Sequence, residues 1–152
     1  MREGDEVPDF ELPDQTGTKR SLSALLADGP VVLFFYPAAM TGGCTKEACH
    51  FRDVAAEFAA AGAQRVGISR DSVDKQKKFA DMHSFDYPLL SDADGEVATM
   101  FGVARGKFGQ KLGAPVKRYT FVIGTDRKVH KVISSEMNME MHADEALAAL
   151  AS

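Results

Sequence analysis

The run Val31-Val32-Leu33-Phe34-Phe35-Tyr36, closed by Pro37, constrains this chain more than any other stretch. Six consecutive apolar residues, β-branched and aromatic, leave no polar face, so the segment reads as a strand buried on both sides. Such a strand needs packed layers above and below it, which in a chain of 152 residues means helices on the two faces of a sheet. Pro37 has no N–H to give to a ladder and ends the strand. No apolar run in the chain is longer, and six residues fall far short of the roughly 20 that span a bilayer.

The flanking sequence alternates as that strand requires. VPDFELPD (Val7 to Asp14) is Pro-punctuated and extended, and SLSALLADG (Ser21 to Gly29) reads as a short helical turn closed by Asp28-Gly29. After the strand comes a loop, AAMTGG, then a helix expected from about Cys44 to Ala61. Phe51, Val54, Ala55 and Phe58 recur in it at helical spacing, and Gly62 sits at the C-cap position. QRVGISRD (Gln64 to Asp71) is a second buried strand. DSVDKQKKFADMH is a helix capped by Asp71 or Ser72, with Val73, Phe79 and Met82 on an apolar side. YPLLSD is a short extended piece, and DGEVATMFGV a short helix ending at Gly102. RYTFVIGTDRKVHKVIS gives two strands around a Thr125-Asp126 turn, and HADEALAALAS gives a final helix. Met137, Met139 and Met141 alternate with polar residues and read as a strand or edge face. Strands alternating with helices, followed by a hairpin, predict an α/β domain over residues 1–152: a mixed β-sheet flanked by helices, of the thioredoxin-like type.

Charge excludes some functions. The net charge is −4 and the signs are mixed along the chain, with no basic stripe, which argues against a nucleic-acid partner. The N-terminus, MREGDEVPDF, is acidic and lacks an apolar core segment, so it is not a signal peptide, and a cytoplasmic location away from membranes is expected. Two cysteines are too few for a disulfide framework, and in a reducing compartment the default is two free thiols.

Their placement carries the chemistry. Cys44 follows a buried strand and a Gly-containing loop and opens a helix, where unpaired N–H groups and the positive dipole end favour an anion such as a thiolate. Thr41, three residues earlier, offers a hydroxyl to the sulfur or to a bound oxygen. Arg118 immediately precedes the apolar strand YTFVI, expected in the same sheet, and is the best candidate for a second positive charge. Cys49 is five residues beyond Cys44. In an ideal helix that separation puts the two Cα atoms roughly 8.5 Å apart, beyond the upper limit of about 6.8 Å for a disulfide. Closure therefore requires the first turns of the helix to unwind. Glu47 reads as a favourable charge at the helix start, and the four histidines show no pairing. Zinc would want four ligands, and only His50 stands near the pair.

PAAMTGGC (Pro37 to Cys44) resembles the active-site pattern of the peroxiredoxins: Pro, three residues, Thr, two residues, Cys. The continuation CTKEAC resembles the bacterioferritin-comigratory-protein, or PrxQ, subfamily, and KRYTFVI, GDEVPDFELPDQTG and YPLLSDADGEVA are similar to other family segments in the family's order. The resemblance implies a thiol-dependent peroxidase acting on hydrogen peroxide and organic hydroperoxides. Cys44 would be the peroxidatic nucleophile and Cys49 the resolving thiol. Thr41 would orient the peroxide, Arg118 would hold the thiolate, and Pro37 and the Gly43 N–H would line the substrate site. A thioredoxin-like or glutaredoxin-like donor would reduce the disulfide. The chemistry is the thiol's own, and neither a metal nor another cofactor is expected.

The chain departs from the common pattern at Gly42-Gly43, where Pro-Gly is frequent, and at Arg70, where many relatives have Pro. ARGKFGQKLGAPVK (104–117) is a basic, loop-like segment that bears on substrate and reductant preference. Other readings stay open: a redox sensor signalling through the same disulfide, a one-cysteine peroxidase resolved by an external thiol, a thioredoxin-like oxidoreductase that would want C-x-x-C, and a copper-binding module that would need further soft ligands. Resolution within one chain needs no second subunit, so a monomer is expected.

Overall fold

The computed structural model describes residues 1–105 and 115–151. The sheet is built outward from β3 (Val31–Phe35), whose five residues are all buried. On one side lie β4 (Gln64–Ser69) and β5 (Leu89–Ser91), both parallel to their neighbours; on the other lie β6 (Tyr119–Ile123) and β7 (Val129–Ser134), both antiparallel. The order is β5-β4-β3-β6-β7, the mixed sheet expected, with β6 and β7 joined through the Thr125-Asp126 turn. β1 (Glu11–Pro13) and β2 (Lys19–Ser21) form a separate antiparallel pair. The three-residue β2 was not anticipated, because its two half-buried positions, Arg20 and Ser21, are adjacent and show no period of two.

The helices are α1 (Leu22–Leu26), α2 (Gly42–Asp53), α3 (Ala55–Ala60), α4 (Val73–His83), α5 (Glu96–Phe101) and α6 (Met139–Ala151). Ser72, rather than Asp71, caps α4, its hydroxyl accepting from Lys75 N. Two expectations need correction. The single helix over 44–61 is two helices meeting at Val54, whose φ of −101° and ψ of 27° leave the helical region. The bend keeps Phe51 and Phe58 on one core with ring centroids 5.8 Å apart. The methionine segment is not a strand: Met139 and Met141 belong to α6, which begins three residues before the apolar periodicity of HADEALAALAS reveals it.

Each sheet face is covered. On one, Leu33, Phe35, Ile68 and Phe121 pack with α1 and α5; on the other, Val32, Phe34 and Tyr36 pack with α2, α4 and α6. Alternation along β3 divides the run between two cores, as its lack of a polar face implied. Phe34 stacks on Phe51 at 4.1 Å, fixing α2 to the sheet. Removing either ring would cost roughly 3–5 kcal/mol.

Candidate active site

Three elements converge on Cys44. β3 ends at Phe35, and α2 begins at Gly42, so Cys44 is the third residue of the helix, with 1 % of its surface exposed. By position, the N–H groups of Gly42, Gly43 and Cys44 have no carbonyl to bond within their own helix. β6 lies against β3 with Tyr119 opposite Phe35, which delivers Arg118 to the end of the sheet where α2 starts. The Arg118 Nη2 donates to Cys44 Sγ at 3.2 Å, and its Nη1 donates to Glu47 Oε1 at 2.9 Å. One guanidinium thus spans two residues that share a face of α2 at i and i+3. Gly43 makes room for it, since a Cβ there would lie 3.3 Å from Arg118 Nη2 and 3.4 Å from the Met139 Cε of α6.

Sequence reasoning placed Cys44 and Arg118 together correctly and understated Glu47. That carboxyl is no solvated dipole charge: it is fully buried, and its Oε2 has no hydrogen-bond partner among the described residues. Burial pushes Glu47 up to about 8 against the pull of Arg118. Burial opposes the charge on Arg118, but Glu47 and then Cys44 hold its pKa above the usual value. The two directions conflict, because the rise at Arg118 presumes an ionised Glu47. Complete burial and the orphaned Oε2 favour the neutral carboxyl. One buried cation then faces one anion, the Cys44 sulfur when it is ionised, rather than two.

His142, given no role from sequence, is buried in the same cluster. Its Nε2 lies 2.8 Å from the Ser135 carbonyl, which only accepts, so Nε2 carries the proton, and Nδ1 accepts from the Thr120 hydroxyl at 2.7 Å. Burial pushes its pKa down and keeps the ring neutral. Its Nε2 stands 3.5 Å from Glu47 Oε2. Glu136 was also missed: its Oε1 accepts from the Arg118 N–H and from Arg105 Nη2, each at 3.0 Å. Neither residue carries a local sequence signal, because the partners lie 7 to 31 residues away.

Thr41 stands at the N-cap with an extended backbone, but its hydroxyl donates to the Ala38 carbonyl at 2.9 Å rather than to the sulfur, and its oxygen accepts from no helix N–H. With its proton committed, that oxygen offers lone pairs to a ligand. Pro37 is half-buried at the start of the same loop. Cys49 is half-buried on α2, and both cysteines are free thiols. Burial pushes the Cys49 thiol up, with Arg52 pulling the other way. Next to it, His50 Nε2 lies 2.8 Å from Asp144 Oδ1 of α6. The basic segment 104–117 lies largely outside the described residues. A cavity of about 670 Å³ is lined by residues such as His130, Lys131 and Glu145 and shares none with this site. Among the described residues no helix is long and apolar enough to cross a membrane.

A polarised sulfur beside a fixed cation, with open N–H donors at a helix start, suits nucleophilic attack on a bond whose leaving group is an oxyanion. Residues 3–132 match the AhpC/TSA family. The crystal structure of peroxidoxin BcpB from Mycobacterium tuberculosis superposes with a TM-score of 0.93 at 69 % identity, covering 99 % of this chain and 97 % of that one. The bacterioferritin comigratory protein of Xanthomonas campestris, described for its alkyl peroxide reduction activity, gives a TM-score of 0.83 at 33 % identity over 93 % of this chain and 90 % of that one. Chloroplastic peroxiredoxin Q of Sedum lineare is 41 % identical over 152 residues, covering all of this chain and 79 % of the relative. The chain belongs to the AhpC/TSA family and is a peroxiredoxin of the bacterioferritin-comigratory-protein type, a peroxidase with a thioredoxin-like fold.

Proposed function

We propose that this peroxiredoxin reduces hydrogen peroxide and organic hydroperoxides through Cys44, with Cys49 resolving the product inside the same chain. The observation that carries the reading is the Arg118 guanidinium, bonded at once to Cys44 Sγ and to the buried Glu47. The Cys44 thiolate attacks one oxygen of the peroxide, an S–O bond forms, and the O–O bond breaks. Cys44 becomes a sulfenic acid, and the departing alkoxide or hydroxide takes a proton to leave as alcohol or water. Arg118 stabilises the thiolate beforehand and the negative charge on the departing oxygen afterwards. Thr41 orients the peroxide, the N–H groups at the start of α2, including that of Gly43, receive its oxygens, and Pro37 shields them. Glu47 kept neutral leaves the arginine's charge to the sulfur.

The Cys49 thiol then displaces water from the sulfenic acid to give the Cys44–Cys49 disulfide, and a dithiol donor of the thioredoxin or glutaredoxin kind reduces it by exchange. The two cysteines share one intact helix, so this step proceeds through unwinding of the first turns of α2. The partners are a peroxide and a dithiol protein, with no second subunit required and the cytoplasm as the setting.

The test is peroxide consumption with a thioredoxin system for the wild type, Cys44→Ser and Cys49→Ser. An inactive Cys44→Ser, together with a Cys49→Ser that halts at one sulfenic acid per chain, supports the reading. Full turnover by Cys49→Ser would leave Cys49 a bystander, and a wild type inert with every thiol donor would sink the peroxidase reading.

A further inference from the structure

Asp71 belongs to none of the groups placed around the sulfur so far. It follows β4, beside the end of β3, where Phe35 pairs with Ile68, and its side chain is 10 % exposed. Its Oδ2 accepts from the Ala39 N–H at 2.7 Å and from the Ser69 hydroxyl at 2.6 Å. Lys75 Nζ stands 3.3 Å from Oδ1. The Ser69 oxygen in turn accepts from Gln76 Nε2 at 2.9 Å, and Gln76 is fully buried and also donates to the Leu90 carbonyl at 2.9 Å. The Ser91 hydroxyl holds the Asp71 carbonyl at 2.5 Å. Strands β4 and β5 and helix α4 therefore fix this carboxylate before it reaches the loop between β3 and α2.

The N–H it holds is one end of a single peptide unit whose other end is the Ala38 carbonyl, the acceptor of the Thr41 hydroxyl at 2.9 Å. A trans peptide is planar, with N–H and C=O pointing in opposite directions, so fixing one end fixes the other. A carboxylate on the N–H also polarises the carbonyl and strengthens its hold on the hydroxyl. Between the two anchored points sits Met40, with a left-handed φ of 63°. That conformation is uphill for a residue with a Cβ and persists only when its surroundings impose it. We infer that Asp71 is a positioning residue for peroxide reduction: through the Ala38–Ala39 peptide plane it commits the Thr41 proton to Ala38 and turns the lone pairs of Oγ1 toward a peroxide at Cys44. This rests on Thr41 orienting the peroxide.

The experiment measures two rate constants for Cys44 by stopped flow, one with hydrogen peroxide and one with iodoacetamide. The second reaction needs the thiolate but no peroxide orientation. Asp71→Ala should slow the peroxide reaction about tenfold and leave alkylation within about twofold of wild type. Asp71→Asn should recover most of the loss, because the amide oxygen still accepts from Ala39. In a Thr41→Val background, Asp71→Ala should have no further effect, the non-additivity expected of residues acting in series. Additive losses, equal slowing of both reactions, no recovery by Asp71→Asn, or a Thr41→Val chain as fast as wild type would each overturn the inference. Should Asp71→Ala fail to fold, Ser69→Ala loosens the same carboxylate. It should cost about threefold toward peroxide with Thr41 present and nothing with Val there, and additivity would again overturn it. A wild type that is alkylated yet inert to peroxide would instead sink the peroxidase reading, an outcome separate from these.

Discussion

Glu47→Gln, made beside its parent in a Cys44→Ser background so that the sulfur does not titrate, should change how stability varies with pH. Burial holds the Glu47 carboxyl protonated up to about 8, against an ordinary value of 4.5. The folded state therefore keeps a proton that the unfolded chain releases between those values. An acid with a raised folded-state pKa imposes no penalty below about 4.5, a growing one up to about 8, and the full one above. At about 1.36 kcal/mol for each tenfold change, the ceiling is about 5 kcal/mol, comparable with the whole stability of a small domain. His142 works in the opposite sense. Its folded-state pKa lies below 6.5, so its neutral burial costs stability at acid pH, and that cost disappears as pH rises through 6.5. The difference between the two variants cancels the histidine. Urea unfolding from pH 5 to pH 9 should show the parent losing stability relative to Glu47→Gln as pH rises, by a few kcal/mol in all. Parallel curves would mean that the carboxyl stays ionised beside Arg118, and would refute the neutral-glutamate account.

Arg118→Lys should lower the rate of Cys44 with peroxide by about a hundredfold or more, because an ammonium cannot reach sulfur and carboxylate as a fork does; stopped flow reads this directly. Asp144→Asn removes the exposed partner of His50 and should speed Cys44–Cys49 closure up to about fivefold, with sulfenic acid formation unchanged, as followed by trapping the sulfenic acid. Gly43→Ala should slow the peroxide reaction by pushing on Arg118. Gly42→Ala, with nothing within 4 Å of the new Cβ among the described residues, should leave that rate alone and raise stability by about 0.5 kcal/mol. Thermal unfolding and stopped flow on the same two proteins would separate these outcomes.

Much of this was legible in the chain because the signals are local. The polar-free run of β3, the turn at Thr125-Asp126, and the spacing of Pro37, Thr41 and Cys44 each lie within one window. Arg118 could be placed because β6 is apolar enough to belong to the central sheet. Other features depend on distant partners. Glu47 looks like an ordinary first-turn acid until Arg118 and α6 bury it, and His142 acquires meaning only through Thr120 and Ser135. The division of the long helix at Val54 leaves no mark, because Val54 itself fits the apolar stripe. The start of α6 was hidden by alternating methionines whose period of two outweighed their helical register.

The second half of α2 is held far more firmly than the first. Tyr87 donates to the Ala48 carbonyl at 2.7 Å, Arg65 to that of Phe51 at 3.0 Å, and Arg52 to that of His83 at 2.7 Å. Among the described residues, 42–47 have fewer such ties, so on the two-cysteine reading unwinding is expected to stop near Ala48, with Cys49 as the fixed post toward which Cys44 swings. On the two-cysteine reading, the energy of that short stretch enters the reduction potential of the disulfide. Whatever folds the reduced helix more tightly makes the oxidised form a stronger oxidant, by about 30 mV for each 1.4 kcal/mol. Redox titration should therefore place Gly42→Ala above the wild type by about 10 mV, and an unchanged or lower potential would show that the helix start and the couple are independent. The reductant able to recycle the protein would then be selected by the stability of one and a half turns of helix as much as by the chemistry of sulfur.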